Sequence, residues 1–129
     1  MTDPLRADLG ALPRLGRGWA LLLLLGVAGC RTAVPFRVAV ERGTGVRRFT
    51  LLGAPGARIN ARLKPALELE DGTVLRFDAP HLTPDSAYFA DAPTVEAPLD
   101  EGTHRGIVRA SVCPAGEKIC RSFVVPVRF

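Results

Sequence analysis

The stretch "ALELEDGTVLRF" (Ala66–Phe77) decides the fold class. Its two halves, "ALELE" and "TVLRF", alternate apolar with polar residues, and Asp71-Gly72 stands between them. A period of two puts alternate side chains of an extended chain on one face. An Asp-Gly pair readily adopts the positive φ that a tight hairpin turn requires. The stretch therefore predicts a β-hairpin. The same grammar extends outward in both directions. "PFRVAV" (Pro35–Val40), "VRRFTLL" (Val46–Leu52) with its breaker "GAPGA", and "ARINARL" come before it; "HRGIVRASVC" and "RSFVVPVRF" come after.

No helical period follows Cys30. Seven or eight short strands spaced about ten residues apart predict an all-β fold, an antiparallel β-sandwich. The single Trp, Trp19, lies ahead of this region, so the sandwich lacks the buried Trp of antibody domains. Pro126 sits inside the last run; proline cannot donate to a ladder, so that strand is expected at an edge or a bulge. "DAPHLTPDSAYFADAPTVEAPLDEGTH" (Asp78–His104), rich in Pro, Asp and Ala, is expected to hold one or two short strands and long loops.

The first 29 residues read differently. Arg6, Arg14 and Arg17 precede "WALLLLLGVA" (Trp19–Ala28), an apolar run of ten residues. A spanning helix needs roughly 20. A basic flank, a short apolar core and small residues at its end are the marks of a secretory signal peptide. Val27-Ala28-Gly29-Cys30 resembles a bacterial lipobox. The small residues give a peptidase access to the backbone, and the thiol takes a diacylglyceryl group. The expected organisation is a lipoprotein signal peptide over 1–29, a lipid-anchored tether over 30–34 and the β-sandwich over 35–129. Two acyl chains on Cys30 suffice for stable anchoring. The chain is thus expected in the bacterial cell envelope, facing the periplasm. Arg31, rather than an acidic residue, follows Cys30 and favours the outer over the inner membrane.

Removing the leader takes away three arginines and two aspartates, so the formal charge falls from +4 to +3. The remaining arginines are spread along the chain, and no nucleic-acid partner is expected. The chain has no Gly-x-Ser-x-Gly, no Gly-rich phosphate loop and no His-Glu-x-x-His. The two histidines, His81 and His104, are isolated, and Cys113 and Cys120 lack the close spacing of a zinc pair. No metal and no cofactor is expected.

Of three cysteines, lipidation would use Cys30, leaving Cys113 and Cys120 as an even pair in a disulfide-permissive compartment. Between them "PAGEKI" reads as a turn that brings both to the mouth of a hairpin. Such a bridge would stabilise the domain by about 2.5 kcal/mol in the chain-entropy model. That alone justifies a structural staple. Lys118 and Arg121 flank Cys120, an arrangement that lowers thiol pKa values and suits a working pair.

"APGARIN" (Ala54–Asn60), "SAYFADAPTVEAPL" and "VCPAGEKICRSFVVPV" together resemble, in order and spacing, the periplasmic amino-terminal domain of thiol:disulfide interchange proteins of the DsbD type. The resemblance covers about residues 35–129. It implies an immunoglobulin-like sandwich in which Cys113 and Cys120 exchange disulfides, with Tyr88 or Phe89 in a shielding cap loop and a thioredoxin-like or other envelope protein as partner. Ala57 and Arg58 replace that family's aromatic and histidine, and Arg121-Ser122 follows the second cysteine. Two functions stand side by side. The first, ranked ahead, is a non-enzymatic interaction or structural lipoprotein with a permanent Cys113–Cys120 disulfide. The second is a thiol–disulfide exchange module.

Overall fold

The computed structural model describes residues 33–129, so the leader, Cys30 and the start of the tether lie outside the described residues. Eight strands follow in order: β1 (Phe36–Gly43), β2 (Val46–Gly53), β3 (Arg58–Ile59), β4 (Ala66–Leu69), β5 (Val74–Arg76), β6 (Thr94–Pro98), β7 (Arg105–Cys113) and β8 (Arg121–Arg128). All pairings are antiparallel, as the alternating runs predict.

The Ala66–Phe77 stretch forms its hairpin. β4 pairs β5, with Glu68 opposite Val74. The Leu69 N–H donates to Thr73 O at 2.8 Å, and the Gly72 N–H donates to Leu69 O at 3.0 Å. Glu70, Asp71 and Gly72 therefore form a three-residue loop, and Gly72 takes the left-handed conformation at φ 86°. The Asp71 carboxylate accepts the Thr73 N–H at 2.9 Å and locks the turn.

The strands form two sheets. One has the order β1-β2-β6; in the other, β7 is central. β8 runs along one edge of β7 from Arg105↔Arg128 to Val112↔Arg121. β3 and β4 succeed each other along its opposite edge, β3 at the Cys113 end and β4 at the Arg105 end. Among the described residues β8 has no other neighbour, so Pro126 lies on an edge strand, where its missing N–H leaves no central ladder broken.

The inward faces of both sheets share one core. Phe49 and Leu51 of β2, Ala97 of β6, Leu67 of β4, and Val108, Ala110 and Val112 of β7 meet in it. Phe49 meets Phe129 edge-to-face at 4.7 Å, and Phe36 meets Phe123 in the same way at 6.1 Å. Gly106 lies where β7 and β4 pack tightly: a Cβ there would sit 3.0 Å from both Glu68 O and Leu67 Cδ1.

Arg47 is the unexpected core residue. It shares the inward parity of Phe49 and Leu51 and is 3 % exposed. Its Nη2 donates to Asp100 O at 3.0 Å and Gly102 O at 2.6 Å, and its guanidinium lies 5.7 Å from the Phe129 ring centroid. Two carbonyls and a π-face thus replace part of the water around the charge, while Nη1 is buried without a hydrogen-bond partner among the described residues.

"ARINARL" yields only the two residues of β3. The Asn60 carboxamide accepts N–H bonds from Arg62 at 2.9 Å and Leu63 at 3.2 Å, which turns the chain away from β7 before a longer strand can form. The long Asp78–His104 segment contributes β6 and the isolated bridges Asn60↔Tyr88, Asp78↔Thr94 and Leu82↔Phe89.

Where β6 leads into β7, Asp100 Oδ1 meets His104 Nε2 at 2.6 Å and accepts the Gly102 N–H at 3.2 Å. The His104 bond, then the Gly102 N–H, hold the Asp100 carboxyl below its ordinary value. A depressed carboxyl stabilises the fold above its unfolded pKa, and that contribution is lost as pH falls through the lower folded value. The contribution of Asp100 is therefore expected to vanish only in acid below its ordinary value of 3.8. In an NMR titration, His104→Ala is expected to move Asp100 up toward that value; an unmoved midpoint would show that His104 has no part in it.

Candidate functional site

The β7–β8 register places the two cysteines. Val112 pairs Arg121, so the next positions outward, Cys113 and Cys120, stand directly opposite each other, and a disulfide joins them. Pro114–Ile119 closes the hairpin beyond them. The Glu117 N–H donates to Pro114 O at 3.0 Å, and Gly116 takes a positive φ of 76°.

The parity of β7 determines which side the bridge occupies. Gly106, Val108, Ala110 and Val112 face the core, so Cys113 points to the outer face of the sheet with Ile107, Arg109 and Ser111. An outer-face residue at a strand end is ordinarily exposed, yet Cys113 has 0 % exposure. Two residues supply the cover. Arg58 of β3 is the cross-strand partner of Cys113. Its guanidinium lies 4.6 Å from the centroid of the Tyr88 ring, and its Nη2 donates to Glu117 O at 3.1 Å. The Tyr88 hydroxyl lies 3.8 Å from Cys113 Sγ and is the member of that contact able to donate.

Tyr88 is itself fixed from both sides. It bridges Asn60, its N–H donates to Thr83 Oγ1 at 3.1 Å, and its carbonyl accepts the Thr83 N–H at 2.9 Å. The next residue, Phe89, points the opposite way, into the core, at 9 % exposure. Extended chain alternates its side chains, so only one of two consecutive aromatics can lie over the bridge. Tyr88 is the aromatic at the disulfide; Phe89 belongs to the packing beneath it.

The sulfurs are unequal. Cys113 is sealed, while Cys120 is half-buried at the loop. An incoming thiolate can reach the bridge only at Cys120 Sγ, which would expel Cys113 as a thiolate into a site shut off from water. Burial opposes that charge, while the Tyr88 hydroxyl that faces Cys113 Sγ is placed to donate to it, so the two effects act against each other. Both flanking cations, Lys118 and Arg121, are exposed, and Arg121 Nη2 lies 3.4 Å from the Glu117 carboxylate.

His81 binds Asp91 and His104 binds Asp100, each at 2.6 Å, and neither contact includes a cysteine. Among the described residues, no group of three His, Cys, Asp or Glu side chains is gathered as metal ligands. Arg58 and Glu117 are the site residues that the sequence does not disclose. Arg58 stands out there only as a departure from a motif, because its role comes from a two-residue pairing across β7. Cys30 lies outside the described residues.

Comparison with known protein families, with curated proteins and with solved structures gives no match to this chain.

Proposed function

We propose that this chain is a lipid-anchored bacterial envelope protein whose β domain is an immunoglobulin-like sandwich. In this reading it serves as a non-enzymatic interaction or structural module with a permanent Cys113–Cys120 staple. The observation that carries this reading is the complete burial of Cys113 opposite its register partner. A bridge of that kind holds a hairpin shut and resists attack at its buried sulfur. The lipobox-like Val27-Ala28-Gly29-Cys30 supports the anchor and the envelope location.

A second reading, a thiol–disulfide exchange module, draws on one specific observation. Cys120 is half-buried while an aromatic hydroxyl and a guanidinium cover its partner, so attack is directed to a single sulfur. The sulfur–sulfur bond would break as the incoming thiolate bonds Cys120, and Cys113 would carry off the electron pair.

The reduction potential separates the two. Structural disulfides of secreted proteins lie below about −300 mV, and exchange-active ones lie higher. Purified Cys30→Ala chain equilibrated in thiol redox buffers is expected below that mark. Cys120 is the attacked sulfur, so the resolving-site variant Cys113→Ser is expected to trap no mixed disulfide in cells. A higher potential together with a trapped partner would replace the staple with the exchange module.

A further inference from the structure

The chain enters the domain at the same end as the disulfide hairpin. The Ala54 N–H donates to Pro35 O at 2.8 Å. The turn that follows abuts the hairpin loop so closely that a Cβ on Gly56 would come within 2.9 Å of Ala115 Cβ. Phe36 meets Phe123, three residues past Cys120, ring to ring. At the tip of this end Ile119 is 76 % exposed, the highest value among the large apolar side chains of the described residues. Lys118 and Arg121 flank it along the chain, and Arg37 lies beside Val34 and Pro55 in a shallow hollow at the same end. The nearby carboxylates are already engaged, Glu117 by Arg121 and Asp91 by His81.

We propose that this end of the domain is a membrane-contact surface for an anionic phospholipid bilayer. Ile119 enters the interfacial layer, and Lys118 and Arg37 meet lipid phosphates, while Arg121 is spent on Glu117. An exposed aliphatic side chain next to a cation, with a second cation at the same end of the domain, has the chemistry of an interfacial anchor. The proposal rests on the reading of Cys30 as acylated, which sets the geometry. The five residues from Cys30 to Pro35 span at most about 18 Å, while the nine residues of β7 measure about 30 Å. A tether shorter than the domain keeps its attachment end at the bilayer. The disulfide then fixes the shape of the loop that presents Ile119.

The test uses Ile119→Trp in the full chain, processed in cells and reconstituted in phosphatidylcholine vesicles with and without phosphatidylglycerol. Cleavage removes Trp19, so the new indole reports alone. Val74→Trp, at a position 51 % exposed and toward the far end of the sheet, is the control. Brominated lipid is expected to quench the indole of Ile119→Trp severalfold more than that of Val74→Trp, and more strongly with phosphatidylglycerol present. The mass of the amino-terminal peptide from the same sample reads acylation separately. Equal or absent quenching on an acylated chain overturns the membrane tip and leaves the anchor standing. An unacylated Cys30 removes the anchor reading, and absent quenching then removes the tip as well. Quenching indifferent to phosphatidylglycerol overturns the role of the cations. A photo-crosslink from position 119 to an envelope protein instead of lipid assigns the tip to a protein partner and overturns the proposal.

Discussion

Phe49→Ala is expected to destabilise the domain by about 4 kcal/mol, the largest loss for any single side chain considered. Phe49 has no exposed surface and sits in β2, where the two sheets meet. Truncation removes its transfer free energy, leaves a cavity between two rigid layers, and breaks the edge-to-face contact with Phe129, which adds about 1 kcal/mol beyond area. Strands on both sides hold the neighbouring backbone, so the cavity closes poorly. Domains of this size have about 5–10 kcal/mol in total, so the variant is expected to be partly unfolded at growth temperature. Urea unfolding followed by circular dichroism measures the change. Val46→Ala, on the half-exposed face of the same strand, is expected to cost under about 1 kcal/mol. If the two variants were equally stable, the shared core would not be what joins the sheets.

The long strands were legible because they announce themselves locally. "ALELEDGTVLRF" shows its hairpin in alternation plus a turn pair, and Pro126 shows its edge position through one missing N–H. Arg47 was not legible. In "VRRFTLL" it looks like a polar residue of an alternating strand, yet it has the inward parity of Phe49. The carbonyls of Asp100 and Gly102, more than fifty residues away, and the face of Phe129 offset that burial. "ARINARL" has the period of a longer strand, but an Asn60 side chain competes successfully for its backbone donors. At the site, the cysteine pair was legible because Cys30 was set aside for lipidation and a turn lies between Cys113 and Cys120. The cover over Cys113 was not, because it joins β3, the Tyr88 loop and the β7–β8 turn, three segments distant in sequence. Local pattern thus carried the sheets, and non-local contacts carried the chemistry.

Replacing both cysteines with alanine, or reducing the bridge, is expected to destabilise the domain by about 2.5 kcal/mol, the loop-closure entropy of a short hairpin loop. For a domain of this size that corresponds to a melting temperature lower by about 10–20 °C. The loss should begin at one place. Among the described residues β8 pairs with β7 alone, so with the clasp gone the Arg121 and Phe123 amides are expected to lose hydrogen-exchange protection before those of β4. Tyr88→Phe, which deletes only the hydroxyl facing Cys113, should leave melting nearly unchanged and so separates the bridge from its cover. The melting result and the reduction potential are the same free energy seen twice. For a two-electron couple about 30 mV corresponds to 1.4 kcal/mol, so a bridge favoured by 2.5 kcal/mol in the folded state lies about 55 mV below its value in the unfolded chain. A module that cycles has to stay folded in both redox states, with β8 docked whether or not the bond is closed. If reduction leaves the melting temperature and the β8 amides where they were, the fold is indifferent to the bond and the staple is wrong. If reduction loosens β8 and lowers melting, and the potential is low as well, Cys113–Cys120 is a clasp that the domain needs closed.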